Sequence, residues 1–164
     1  MSDPLLFEDT FTITSVNSQK YERVSRLSCT STDSVTTFTL DVNTELYPCA
    51  VGESVSMALA STLSLDGKED TGARASWREV GMGEQTLAND YDYVCHGKVY
   101  RFEEGSTAGN MYVWAQRMSC LITGLTINSR AVFVSFGGLL LYLEGPYKKL
   151  APLRIDYVYL LLKK

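Results

Sequence analysis

His96 is the single histidine of this 164-residue chain and directly follows Cys95. A nucleophile and its base must converge, but the run Tyr93-Val94-Cys95-His96-Gly97-Lys98 reads as a strand, which sends neighbouring side chains to opposite faces. The pair is therefore read as strand residues and not as a catalytic dyad. Asp90, Asp92, Glu103 and Glu104 are acidic enough for a divalent cation, yet such a site wants further oxygen ligands at loop-like spacing; they are read as solvated edges and turns. Gly137-Gly138, between Phe136 and Leu139-Leu140-Leu141, has too few glycines for a phosphate-binding loop and leads into a strand, not a helix. It predicts a glycine bulge or a sharp bend. Cys29, Cys49, Cys95 and Cys120 lie 20, 46 and 25 residues apart with no CxxC pair, which disfavours zinc ribbons and redox dithiols. Cys29, Cys49 and Cys95 sit in or beside apolar runs, where a free thiol acts as a small hydrophobe. No catalytic residue, metal site or cofactor emerges from these residues.

Lys20, Tyr21, Arg23 and Arg26 form the densest basic and aromatic cluster of the first half. Strand alternation puts Tyr21 with Arg23 on one face and Lys20 with Arg26 on the other, and Glu22 interrupts the cluster. Fifteen Lys plus Arg against 19 Asp plus Glu leave a net charge of -4. With an isoelectric point near 5.0, strong non-specific binding to phosphate is disfavoured.

The elements that must position these residues read as strands. Candidate runs are Phe7 to Val16, Tyr21 to Cys29, Thr36 to Val42, Val55 to Leu63, Tyr91 to Phe102, Val132 to Leu143 and Tyr157 to Leu162. Phe38, Leu40 and Val42 alternate with Thr37, Thr39 and Asp41, as a half-buried antiparallel strand requires. The ten tyrosines and six phenylalanines suit pleated surfaces. Turn residues at Val51-Gly52-Glu53 and Gly145-Pro146-Tyr147 suggest a meander or Greek-key sheet closing on itself. The expected fold is therefore all-β, one antiparallel barrel over residues 1–164, closed or nearly so.

Between Asp66 and Asn89 the pattern fails, and residues 66–89 read as a long mobile surface loop anchored by Trp77, either on the barrel or on a partner. With 45% hydrophobic and 21% charged residues the composition is that of an ordinary globular chain. It has no apolar run approaching the roughly 18 residues of a membrane span. The opening residues Met1 to Asp9 include three acids and lead into no long apolar stretch, so the chain is expected to stay on the reducing side of the cell.

Leu6-Phe7-Glu8-Asp9, Arg23-Val24-Ser25-Arg26, Leu40-Asp41-Val42-Asn43 and Leu46-Tyr47-Pro48 stand in that order in the first third. Ala60-Ser61-Thr62-Leu63, Asp90-Tyr91-Asp92-Tyr93-Val94 and Gly97-Lys98-Val99-Tyr100-Arg101-Phe102-Glu103 follow. Phe136-Gly137-Gly138-Leu139-Leu140, Leu143-Glu144-Gly145 and Tyr159-Leu160-Leu161-Leu162-Lys163-Lys164 complete the series. In order and spacing this series resembles the small β-barrel subunit shared by eukaryotic nuclear RNA polymerases I, II and III, the third of their common subunits.

The resemblance implies a barrel of the oligonucleotide-binding type, in the nucleus and nucleolus. It further implies a non-catalytic structural role, docked on the largest polymerase subunit among other subunits. Phe136, Gly137, Gly138, Leu139 and Tyr142 are the candidate partner interface, since aromatic anchors dominate interfaces more than flexible charges do. The alternative is a stand-alone single-strand-binding barrel using Lys20, Tyr21, Arg23 and Arg26. Cys95-His96 stands where the family usually has methionine and tyrosine, and Tyr142 replaces a usual arginine.

The stretch after Glu104 is longer than the family pattern. Within it, residues 111–129 have Arg117 as their one charged residue and show neither strand alternation nor a capped helix. Met111-Tyr112-Val113 can be encoded with a GTATGT splice donor, Leu125-Thr126 with a CTAAC branch sequence and Asn128-Ser129 with an AG acceptor. Excision takes the last base of codon 111, codons 112–128 and two bases of codon 129, which keeps the frame and joins Asn110 through an isoleucine to Arg130. The segment therefore reads as a translated intron, against a genuine surface-loop insertion, which loop-closure entropy tolerates readily.

Overall fold

The computed structural model describes residues 4–19, 21–65, 85–104 and 129–164. Eight strands account for most of them: β1 (Leu5–Asn17), β2 (Val24–Ser31), β3 (Thr37–Asn43), β4 (Ser54–Ala60), β5 (Tyr93–Glu104), β6 (Ser129–Phe136), β7 (Leu139–Pro146) and β8 (Tyr157–Lys163). A 3₁₀ turn (Leu87–Asp90) and one helical turn, α1 (Tyr147–Leu150), are the helical pieces among the described residues. The strands close into an antiparallel barrel in the order β1-β2-β3-β7-β6-β5-β8-β4.

That order contains the same unit twice. The first four strands stand as β4-β1-β2-β3 and the last four as β8-β5-β6-β7, each the 4-1-2-3 arrangement of a Greek key. The connections that carry the fourth strand back beside the first have the same length, residues 44–53 and 147–156. Even the irregularities repeat. The β1/β2 ladder skips one residue at Thr14, and the β5/β6 ladder skips one at Tyr100. A bulge of this kind bends the strand and tightens its twist, which helps a sheet curl to closure. The two keys are joined by β3 on β7 and by β4 on β8.

Alternation decides what fills the barrel. Phe11 and Ile13 from β1, Leu27 and Cys29 from β2, Phe38 and Leu40 from β3, and Met57 and Leu59 from β4 meet Val99, Val132, Val134, Leu141, Leu143 and Leu160 in one core. Phe11 meets Phe38 edge to face with ring centroids 4.7 Å apart. A second, smaller cluster lies on the outside: Ala58, Ala60 and Leu161 are covered by Leu5, Leu63, Leu87 and Tyr91.

Three expectations change. The run Val132 to Leu143 is two strands, because Gly137 (φ 63°) and Gly138 (φ 105°) both adopt the left-handed backbone of a two-residue hairpin turn. The run starting at Tyr21 becomes a strand only at Val24, since residues between β1 and β2 must reverse the chain; Gln19 donates its N–H to the Asn17 side chain there, 3.1 Å away. The segment 66–89 ends sooner than the loss of pattern suggested. Ser64 bridges Thr86, and the following 3₁₀ turn packs Leu87 on the outside of the barrel. Residues 66–84 and Trp77 lie outside the described residues, as does most of 111–129.

Candidate docking surface

The hairpin that carries the candidate interface divides its residues between inside and outside. Phe136 is 6% exposed and Leu139 packs against the core, so both point into the barrel. The turn glycines 137 and 138 are exposed, and neither would meet another atom if it carried a Cβ. Tyr142 points outward, lying edge-on to Phe133 at 5.1 Å and donating its hydroxyl to Glu144 at 2.8 Å. Burial and the neighbouring Glu144 carboxylate raise the Tyr142 phenol pKa, which keeps it a neutral donor. Of the five residues, Gly137, Gly138 and Tyr142 are therefore surface-facing, while Phe136 and Leu139 position them from within.

Phe136 is inward because β5 leaves room for it. Gly97 stands opposite, and a Cβ there would run into the Phe136 ring and the Ser135 carbonyl. In the first Greek key the sizes are reversed, with Phe11 on β1 facing Ser31 on β2.

Around Tyr142 the outer wall is rich in rings. Phe133 also lies 6.2 Å from Tyr100, and the Arg101 guanidinium sits over it at 5.6 Å while pairing with Glu103. One strand further on, His96 stacks on Tyr157 at 5.3 Å with planes 8° apart and meets Tyr159 at 4.6 Å. Lys98 rests over the Tyr157 ring at 5.3 Å. Sequence reasoning missed Phe133, Leu140, Tyr100 and Tyr157 as one surface. The available signal was period-2 alternation across the true hairpin register, where Ser135 pairs with both Lys98 and Leu140.

The basic cluster is dispersed. Lys20 lies outside the described residues, Tyr21 is exposed, and Arg23 precedes β2 and pairs with Glu45 at 3.3 Å. Arg26, on the outer face of β2, makes a two-pronged contact with Asp41 at 2.7 and 3.1 Å. The hydrogen bond and charge of Asp41 raise the Arg26 pKa, so this guanidinium stays charged but is already matched. A phosphate would have to displace a carboxylate at either arginine.

The other reactive groups are placed by the barrel rather than by chemistry. Cys95 packs toward the core and His96 points out, the separation that strand alternation requires. Burial pushes the Cys29 thiol up to about 12, and it also raises Cys49 and Cys95, which suppresses the nucleophilic thiolate. Asp92 accepts the Lys164 N–H at 3.0 Å. Among the described residues no group of three His, Cys, Asp or Glu could hold a metal ion.

The family model for RNA polymerase Rpb8 matches residues 8–126 and 123–164 of the chain. A relative from Saccharomyces cerevisiae, DNA-directed RNA polymerases I, II, and III subunit RPABC3, is 36% identical over 97% of each chain. The protein of the same name from Schizosaccharomyces pombe is 34% identical over the full length of both. DNA-directed RNA polymerases II, IV and V subunit 8B of Arabidopsis thaliana is 33% identical over 99% of this chain and 98% of its own.

Proposed function

Because the chain belongs to the RNA polymerase Rpb8 family, we propose that it docks on the largest subunit of RNA polymerases I, II and III, through a surface that includes Gly137, Gly138 and Tyr142. Within those enzymes it is a non-catalytic structural subunit that partners with other polymerase subunits. The near-full-length match to subunits named as common to the three polymerases carries this reading. A role in nuclear RNA polymerases supports a location in the nucleus and nucleolus. The single-strand-binding alternative has less support, because Arg23 and Arg26 are each met by a carboxylate. Affinity purification of the tagged full chain tests the proposal. Largest subunits of all three polymerases should co-purify and persist through stringent washing; recovery without any polymerase subunit would overturn it.

Residues 111–129 are proposed to be a translated intron, absent from the working protein. The β5/β6 ladder supports this, since Glu104 pairs with Arg130 and the chain between them is the connection of a hairpin. Hairpin connections are usually about two to five residues, and excision shortens this one from about 25 residues to close to that range. Excision leaves Gly105 to Asn110 and puts the new isoleucine at the Ser129 position, at the start of β6. Sequencing the mature transcript tests it: the segment present in most messages would refute the proposal.

A further inference from the structure

We infer that the outer wall of the second Greek key, centred on Tyr157, Lys98, Leu140 and Tyr100, is the face on which a polymerase subunit seats, meeting apolar side chains on the rings and offering a carboxylate to Lys98. This rests on the proposed polymerase role and assigns it a surface. Strand register lays Tyr157, Lys98, Ser135 and Leu140 side by side across β8, β5, β6 and β7. Tyr157 is 56% exposed, Tyr100 48% and Leu140 42%, so three large, mainly apolar side chains of this wall reach into water. Scattered exposed apolar residues are ordinary, but here they share one wall with two groups of packed rings, His96 with Tyr157 and Tyr159, and Tyr100 with Phe133 and Tyr142, and aromatic residues are enriched at interface centres.

The charges select a protein over a nucleic acid. Arg101 is paired with Glu103, and Tyr142 occupies Glu144. Lys98 forms no ion pair among the described residues, its contact being the Tyr157 ring. One unmatched lysine gives little hold on a polyphosphate, whose binding is built from many neutralised charges. It suits one carboxylate placed beside aromatic anchors, where desolvation strengthens both contacts.

The test borrows residues from the first Greek key, where Thr12, Thr37 and Ser54 occupy the positions of Lys98, Leu140 and Tyr157. The triple variant Lys98→Thr, Leu140→Thr, Tyr157→Ser should keep the wild-type unfolding midpoint and lose at least tenfold in polymerase co-purification. A control, Thr12→Ala with Thr37→Ala and Ser54→Ala, should co-purify normally. Wild-type recovery with equal recovery of the triple variant would overturn the face while leaving the polymerase role intact, whereas failure of the wild type itself would overturn the role. If the triple variant unfolds, a photocrosslinker at position 157 of the otherwise wild-type chain should join a polymerase subunit and one at position 54 should not. The reverse pattern overturns the proposal. So does oligonucleotide binding by the isolated protein that the triple variant abolishes while its co-purification is unchanged.

Discussion

The two Greek keys present the same backbone to solvent with opposite chemistry. Across β4, β1, β2 and β3 one register row reads Ser54, Thr12, Thr30, Thr37. Across β8, β5, β6 and β7 the equivalent row reads Tyr157, Lys98, Ser135, Leu140. The extra residue of each bulge differs in the same sense: Thr14 turns its hydroxyl back to the Ser28 carbonyl at 2.8 Å, whereas Tyr100 leans outward near Phe133. Hydroxyl-bearing strands satisfy the pleat with small cross-strand contacts and stay wet. Rings on the same scaffold leave apolar area uncovered, which a subunit can cover. Barrel closure is therefore shared between the halves, and docking is assigned to one.

The largest expected effects probe the interior, where the halves reverse the sizes of facing residues. Phe136→Ala should cost about 4 kcal/mol by leaving a cavity, and Gly97→Ala about 3 kcal/mol by crowding the Phe136 ring and the Ser135 backbone. Urea unfolding measures both. A double variant, Gly97→Ala with Phe136→Ala, should cost less than the two added together, because each relieves the other's misfit; additive losses would break the claim that they share one space.

The bulges give a smaller contrast. Thr14→Val removes one exposed hydrogen bond and should lower stability by about 0.5 kcal/mol with polymerase recovery unchanged. Tyr100→Thr should leave stability within about 0.5 kcal/mol, as surface changes usually do, and reduce recovery. Equal effects on recovery would erase the distinction between the faces.

The smallest effect concerns how the halves are tied. Lys149, from the β7–β8 connection, reaches Asp9 on β1 at 2.8 Å and Asp33 in the β2–β3 turn at 2.7 Å. Hydrogen bonds from Lys149, then from Ser31 and the Val35 N–H, hold the Asp33 carboxyl below its usual range. A depressed carboxylate stabilises the fold above its unfolded value, about pH 4, and that stability is lost as pH falls through the folded value. Lys149→Met should therefore lower stability at pH 7 and flatten the loss below pH 4. Parallel urea midpoints for variant and wild type at pH 7, 4 and 3 would show that the tie contributes nothing.

Much of this fold is written in alternation. Phe38, Leu40 and Val42 point inward as their spacing requires, and Cys95 and His96 separate for the same reason. The hairpin at Gly137-Gly138 was hidden because Val132 to Phe136 and Leu139 to Leu143 are both apolar, and only the backbone angles of the two glycines reveal the reversal. Phe136 and Leu139, expected at the interface as hydrophobic anchors beside the glycines, both pack inward in the barrel, each alternating with an outward neighbour. Carboxylates distant in sequence answered the basic cluster: Glu45 meets Arg23 and Asp41 meets Arg26 across the β2/β3 pair. Doubling of the Greek key is invisible in residue types, since equivalent positions such as Phe11 and Gly97 share a place in the register and little else.

Hydroxyl-radical footprinting of the protein, free and assembled in polymerase, tests the central claim most directly. Tyr157, Tyr100 and Leu140 should lose reactivity on assembly, while Val51 and Tyr21, exposed beside the first key, keep theirs; protection of Val51 and Tyr21 with Tyr157, Tyr100 and Leu140 unchanged would contradict docking through the second key.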